Sequence, residues 1–235
     1  MASPSPSSRD RGALRGVLLD VDGTLLLSNQ AHAEAFAIAF RESGRDIPAE
    51  RVRPLVGMGS DKLLPELTGL DEESDEGRAI VERKKDAFRT LLPEVRPAPG
   101  ARALLERLRD RGLVLVVATS AGEDELDPLL ERAGVRDLID AQTSSSDVER
   151  SKPDPDIVAA AVQRSGHPPG SLVMLGDTPY DVEAARRAGV PLVAVRCGGW
   201  GDADLAGAVA VYDDPAHLLR ELDRSPLASG AHAGE

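Results

Sequence analysis

From about residue 98 onward, short apolar runs alternate with helical stretches, and this alternation most constrains the fold. "LVLVVATS" (113–120), "LIDAQT" (138–143), "SLVMLGD" (171–177), "PLVAVR" (191–196) and "AVAVYD" (208–213) read as strands. "GVLLDV" (16–21) adds a sixth near the start. Between them lie helices with clear end signals. "APGARALLERLRDRG" places Leu104, Leu105 and Leu108 at helical spacing and stops at Gly112. "DPDIVAAAVQRSG" offers Asp154 as cap, Pro155 at the first helical position and Gly166 at the end. "TPYDVEAARRAG" repeats that grammar with Thr178, Pro179 and Gly189. Strand–helix alternation predicts an α/β fold, a doubly wound parallel sheet that binds ligands beyond the carboxyl ends of its strands.

One segment interrupts the pattern. Residues 27–95 contain no convincing strand: "HAEAFAIAFRESG" and "EGRAIVERKKDAFRTLL" are helical, and "GMGSDKLLPELTG" reads as a shorter helix. An all-helical insert after the first strand, closed by the proline-rich "PEVRPAPG", predicts a smaller cap domain at 27–95. It would be hinged at Leu26–Asn29 and Val95–Pro99 to a core of 13–26 and 96–223. Residues 1–12 and 224–235 read as a disordered leader and a flexible tail.

Composition narrows the partners. No apolar run reaches membrane length, and the start lacks the apolar core of a signal peptide. A single cysteine, Cys197, excludes an intrachain disulfide framework and fits a reducing cytoplasm. A net charge of −12 argues against nucleic acid or an anionic membrane as partner. It leaves room for a small anion wherever a metal ion or a lysine reverses the local field. The oligomeric state is not readable; a monomer is the working expectation.

Two acids, Asp20 and Asp22, sit in the otherwise oily "VLLDVDGTLLLSNQAH". Strands avoid aspartate, and carboxylates this close repel unless something positive relieves them. Alone, the pair can equally be a plain turn; it is not an EF-hand loop, because glycine falls at the fourth position. Other polar residues also follow strands: Thr119 and Ser120, Lys152 in "RSKPDPD", and Asp177 with Asp181 four residues on. A parallel sheet brings all of these to one edge. Each has a plain alternative. Thr119 can be a strand-end hydroxyl, Lys152 a solvated loop residue, and Asp181 the closing member of a capping box with Thr178. His32 reads by default as a surface histidine and Lys84 as an exposed charge. Together the set suits phosphoryl transfer: a carboxylate nucleophile, a hard cation held by oxygens, and donors for phosphate oxygens.

"DVDGT", "VVATS", "SKPDPD" and "GDTPYD", in this order, resemble the four motifs of the haloacid dehalogenase superfamily over about residues 14–222. The helical insert resembles its C1-capped branch, which includes phosphoglycolate-phosphatase-like and β-phosphoglucomutase-like enzymes. The resemblance implies that Asp20 is the nucleophile and that Asp22 is general acid and then base. It implies that Thr119 bonds the phosphoryl group and that Lys152 holds Asp20 and a phosphate oxygen. Mg²⁺ would bind Asp20, the backbone carbonyl of Asp22, and Asp177, with Asp181 assisting. Gly23 is expected to let the chain approach the phosphate closely. Ser120, His32 and Lys62 are expected substrate contacts, with Arg53 a further one.

The expected activity is Mg²⁺-dependent hydrolysis of a small phosphorylated metabolite through an aspartyl phosphate. An acid at position 22 favours phosphate esters over halides or phosphonates. An aromatic content of 3% offers no stacking platform for a base. The main alternative is a β-phosphoglucomutase-like transfer on a sugar phosphate, since His32 and Lys84 resemble positions used by such mutases. A non-catalytic phosphate-sensing module is a further alternative, disfavoured by the helical insert.

Overall fold

A computed structural model describes residues 13–228. After strand β1 (Gly16–Leu19), the chain forms four helices: α1 (Asn29–Glu42), α2 (Ala49–Val52), α3 (Ser60–Thr68) and α4 (Asp75–Leu91). It then winds through α5 (Ala101–Asp110), β2 (Val114–Ala118), α6 (Glu123–Ala133), β3 (Ala141–Thr143), α7 (Asp156–Ser165) and β4 (Leu172–Gly176). It closes with α8 (Pro179–Arg187), β5 (Leu192–Val195), β6 (Ala210–Tyr212) and α9 (Pro215–Arg220). The six strands form one sheet in the order β3-β2-β1-β4-β5-β6, and every pairing is parallel. Parallel neighbours need crossovers; helices supply them except between β5 and β6, where the loop 196–209 makes the crossing. No helix among the described residues is long and apolar enough to cross a membrane.

Side chains alternate across the sheet, so β1 feeds two cores. Val17 and Leu19 pack with Leu115, Val117, Leu104 and Leu129 on one face. Leu18 packs with Val116, Met174, Ile157 and Val182 on the other. The helical insert has its own apolar cluster, built on Phe36, Phe40, Val52, Leu63, Leu64 and Ile80. Its α1 and α4 also send Ala35 and Phe88 into the first core, which seats the insert on the sheet.

Several local expectations need correction. Helix α7 begins at Asp156 with Pro155 as its cap residue, so Asp154 does not cap it. The Asp154 carboxylate is drawn instead to Lys62 (3.1 Å) and Arg187 (3.0 Å). In the run 138–143 only Ala141–Thr143 pairs as strand, because Asp140 uses its side chain to accept from Leu115 N at 2.8 Å. Helices α2 and α6 lie outside the stretches that the local pattern marks as helix; α6 starts after Gly122 with no side-chain cap and carries Pro128 inside it. The expected flexible tail is packed as far as it is described. Ser225 and Leu227 are buried, and Arg111 donates to the carbonyls of Leu227 and Ala228, both at 3.3 Å. The expected leader, 1–12, and residues 229–235 lie outside the described residues.

Leu18 is fully buried, in register with Val116 and Met174 on its two neighbouring strands. Leu18→Ala should therefore cost about 2–5 kcal/mol. The expected reading is a lower urea midpoint with an unchanged slope.

Candidate active site

The carboxyl edge of the sheet gathers the expected residues. Lys152, on the loop after β3, is 1% exposed and places Nζ 2.6 Å from Asp20 Oδ1 and 2.7 Å from Asp181 Oδ1. Thr24 Oγ1 lies 3.1 Å from both Asp20 Oδ2 and Asp177 Oδ1. Asn29 Nδ2 donates to Asp177 Oδ2 at 2.8 Å and to the Gly198 carbonyl at 3.0 Å. Asp181 divides its two oxygens. Oδ2 closes the capping box of α8, accepting from Thr178 N (3.0 Å) and Oγ1 (2.7 Å), while Oδ1 faces Lys152. The structural and the site roles of Asp181 therefore coexist.

Asp20, Asp177 and Asp181 each place a carboxylate oxygen within 4.8 Å of the others, and all three are buried. Lys152 is the ammonium inserted among them, so three ionised carboxylates would leave two negative charges uncompensated. The strain shows in their proton affinities. Burial and then Asp181 push Asp20 up to about 7, against the pull of Lys152. Burial, then Asp20 and Asp181, raise Asp177 well above the usual carboxylate range. Burial opposes the Lys152 charge, but Asp181 and Asp20 outweigh it and raise its pKa. An all-oxygen donor set lacking two positive charges fits a hard divalent cation.

Gly23 leaves room for this cluster. Its φ is +79°, and a Cβ there would fall 2.1 Å from Asp177 Oδ2 and 2.2 Å from Asn29 Nδ2. A Cβ on Gly198 would fall 1.6 Å from the same Asp177 oxygen. The two glycines wrap the acid, and Gly23 does not line the pocket.

Asp22 turns the other way, towards the insert. Its Oδ1 accepts from Ser28 Oγ and lies 2.8 Å from His32 Nε2. Burial alone would raise its pKa, but His32 and Ser28 outweigh burial and lower it. His32 is not on the surface. It is 7% exposed and stacks on Phe88 at 3.9 Å and 7°, because the first turn of α1 lies between the sheet edge and α4. Lys84 is likewise buried, not an exposed charge. Its Nζ is 2.8 Å from Glu125 Oε1 and sits 5.6 Å and 5.2 Å from the ring centres of Phe36 and Phe88.

A cavity of about 220 Å³ opens between sheet edge and insert, with Asp20, Asp22, His32, Lys84, Thr119 and Ser120 in its wall. Thr119 Oγ1 accepts from Ala121 N at 3.1 Å, which leaves its hydroxyl proton for a ligand. The Ser120 hydroxyl donates to the Gly57 carbonyl at 3.2 Å and so binds the insert. Lys62 is outside the cavity wall, held by Asp154 and Asp61, and Arg53 donates to the Gly198 carbonyl instead. Pattern reasoning missed Thr24, Ser28, Asn29 and Glu125. "SNQAH" looks like an ordinary helix cap, yet Ser28 makes no capping bond and both Ser28 and Asn29 are buried.

The model of the haloacid dehalogenase-like hydrolase family matches residues 14–189. The chain belongs to this family. It is 33% identical over 191 residues to a phosphoglycolate phosphatase of Nitrosospira multiformis, covering 79% of this chain and 84% of that one. It is 29% identical over 220 residues to an N-acetylmuramic acid 6-phosphate phosphatase of Pseudomonas aeruginosa, covering 92% and 97%. The fold is similar to that of a hydrolase from Pseudomonas syringae, with TM-score 0.83 and 30% identity over 89% of this chain and 98% of that one. It is thus a haloacid dehalogenase-like enzyme with phosphatases among its relatives.

The crowded acids generate a crossover in stability. In EDTA, Asp177→Asn should melt above wild type by a margin that grows as pH rises, because burial and its acid neighbours oppose ionisation of Asp177 and the amide never takes on that charge. A divalent cation at a hundred times its Kd stabilises by about 2.7 kcal/mol, so Mg²⁺ should raise the wild-type Tm and reverse that order. Scanning calorimetry of both proteins with and without Mg²⁺ checks it.

Proposed function

We propose that this phosphatase hydrolyses a small organic phosphomonoester with Mg²⁺ bound, carrying the phosphoryl group transiently on Asp20. The observation that carries the reading is the separation of two carboxylates two residues apart. Asp20 is tied to Lys152 within the acidic triad, and Asp22 is tied to Ser28 and His32, with both acids in the wall of one cavity. We take residues 27–95 as a cap over a core of 13–26 and 96–223, working in the cytoplasm.

Asp20, Asp177 and Asp181 would hold Mg²⁺, which would supply the charge that lets Asp20 ionise beside a dianionic phosphate. The Asp20 carboxylate attacks phosphorus, the bond to the alcohol oxygen breaks, and Asp22 gives its proton to that oxygen. Asp22 must be protonated for this, although its neighbours hold its pKa low. The arriving dianion raises its proton affinity by like-charge repulsion. Water then attacks phosphorus, Asp22 takes the proton, and Asp20 is released as a carboxylate. Lys152 orients Asp20 throughout, Thr119 donates to a phosphate oxygen, and His32 fixes where Asp22 points. His32 and Lys84 are both engaged within the protein, by Asp22 and Glu125, which favours hydrolysis over a mutase reading.

Hydrolysis of p-nitrophenyl phosphate should need Mg²⁺ and cease in EDTA. Asp20→Asn should lose about a thousandfold or more in kcat. Asp22→Asn should accumulate phosphoprotein from a reactive donor such as acetyl phosphate, with the label on residue 20 by peptide mass spectrometry. A label on residue 22, or full activity in EDTA, would overturn the proposal.

A further inference from the structure

Beyond Asp20 and Asp22, the cavity wall carries Glu72, Asp124 and Glu125 against Lys84 and Lys85. Both lysines are already matched. Lys84 Nζ is 2.8 Å from Glu125 Oε1, with side chains only 9% and 8% exposed. Lys85 Nζ is 3.2 Å from Glu82 Oε1 and 3.4 Å from Asp124 Oδ2. Among the described residues, no cation in the wall is left without an acid, and the acids are in excess. Hydroxyls complete the polar lining: Ser60, which donates to Glu72 at 2.6 Å, and Ser145. Phe36 and Val81 supply an apolar face.

We propose that the alcohol part of the substrate is uncharged and rich in hydroxyls, a polyol or sugar, and that Glu125 sets this preference by neutralising Lys84. The proposal rests on the phosphatase reading of the same site. Carboxylates accept hydrogen bonds from substrate hydroxyls, and small apolar faces suit the C–H surface of a polyol. A carboxylate or second phosphate on the substrate would meet an excess of negative charge. It reaches Lys84 only by displacing Glu125, which strands a buried acid without its partner. Because Lys84 stands on α4 of the insert and Glu125 on α6 of the sheet domain, that displacement also breaks a tie between the two. A bisphosphate, as a sugar-phosphate mutase requires, meets the same obstacle.

The test scores matched compounds by their competition against p-nitrophenyl phosphate hydrolysed by the full chain with Mg²⁺, which works whether or not a compound is turned over. The pairs are glycerol 3-phosphate with 3-phosphoglycerate, and glucose 6-phosphate with 6-phosphogluconate. In wild type the neutral member of each pair should compete at least about tenfold better. Glu125→Gln should shrink that ratio by freeing Lys84, whereas Lys84→Met should widen it by leaving Glu125 bare. The ratio is read within each protein, so a general loss of activity cancels, and the wild-type ratio stands even if a variant does not fold. Preference for the carboxylate members, competition by none of the four, an unchanged ratio in folded Glu125→Gln, or a narrowed one in Lys84→Met would overturn the proposal. Failure to hydrolyse p-nitrophenyl phosphate would instead overturn the phosphatase reading.

Discussion

Three buried carboxylates at the carboxyl edge of the sheet, two of them bound to the single ammonium of Lys152, are the constraint around which the neighbouring residues are arranged. Such a cluster is costly in a low-dielectric interior unless every oxygen has a partner. The surrounding sequence supplies those partners from distant points. Thr24 bridges Asp20 and Asp177, Asn29 reaches Asp177 from the insert, and the α8 cap takes one oxygen of Asp181. Gly23 and Gly198 give up side chains so that Asp177 can fit between them. The fold gives up stability here to crowd acids whose oxygens could hold a cation, as functional sites commonly do.

The second consequence is a division of labour between neighbours. Residues two apart on a strand share a face, and two carboxylates so placed would titrate together. Here β1 ends at Leu19, and the chain turns through Gly23 at φ +79°. Asp20 stays with Lys152, while Asp22 swings to Ser28 and His32. Asn29 and His32 lie three apart in the first turn of α1, a spacing that shares one helix face. One reaches the acidic triad and the other reaches Asp22, so a single helical turn touches both halves of the site.

Much of this was readable from local pattern. Six strands, the parallel order they imply and the Thr178–Pro179 start of α8 rest on short-range grammar that packing did not override. The convergence of Asp20, Thr119, Lys152, Asp177 and Asp181 followed from topology, because parallel strands end on one edge. What escaped depends on partners far away in the chain. Lys84 has the same letter whether solvated or buried, and its partner Glu125 lies 41 residues on. Lys62 looked like a substrate cation until Asp154, distant in sequence, claimed it. Helix α6 escaped because it opens without a side-chain cap and contains a proline, both of which argue locally against a helix.

The seam between insert and sheet is built of two materials. Near the chain entry it is apolar, with Phe88 and Ala35 in the main core and Leu91 and Leu92 against it. Around the cavity it is polar: Ser120 to the Gly57 carbonyl, Ser151 to Asp61, Tyr180 to the Pro54 carbonyl, Lys62 to Asp154 and Lys84 to Glu125. Polar contacts exchange with water at small net cost, whereas exposing apolar core does not. The seam is therefore weakest around the cavity and strongest where the two chain crossings lie. Ser151 ties this seam to the acidic cluster, since it accepts from Gly59 N at 3.0 Å and immediately precedes Lys152. His32 does so from the other side, through Asp22. Seating of the insert and placement of Asp20 and Asp22 are thus coupled through the same few hydrogen bonds.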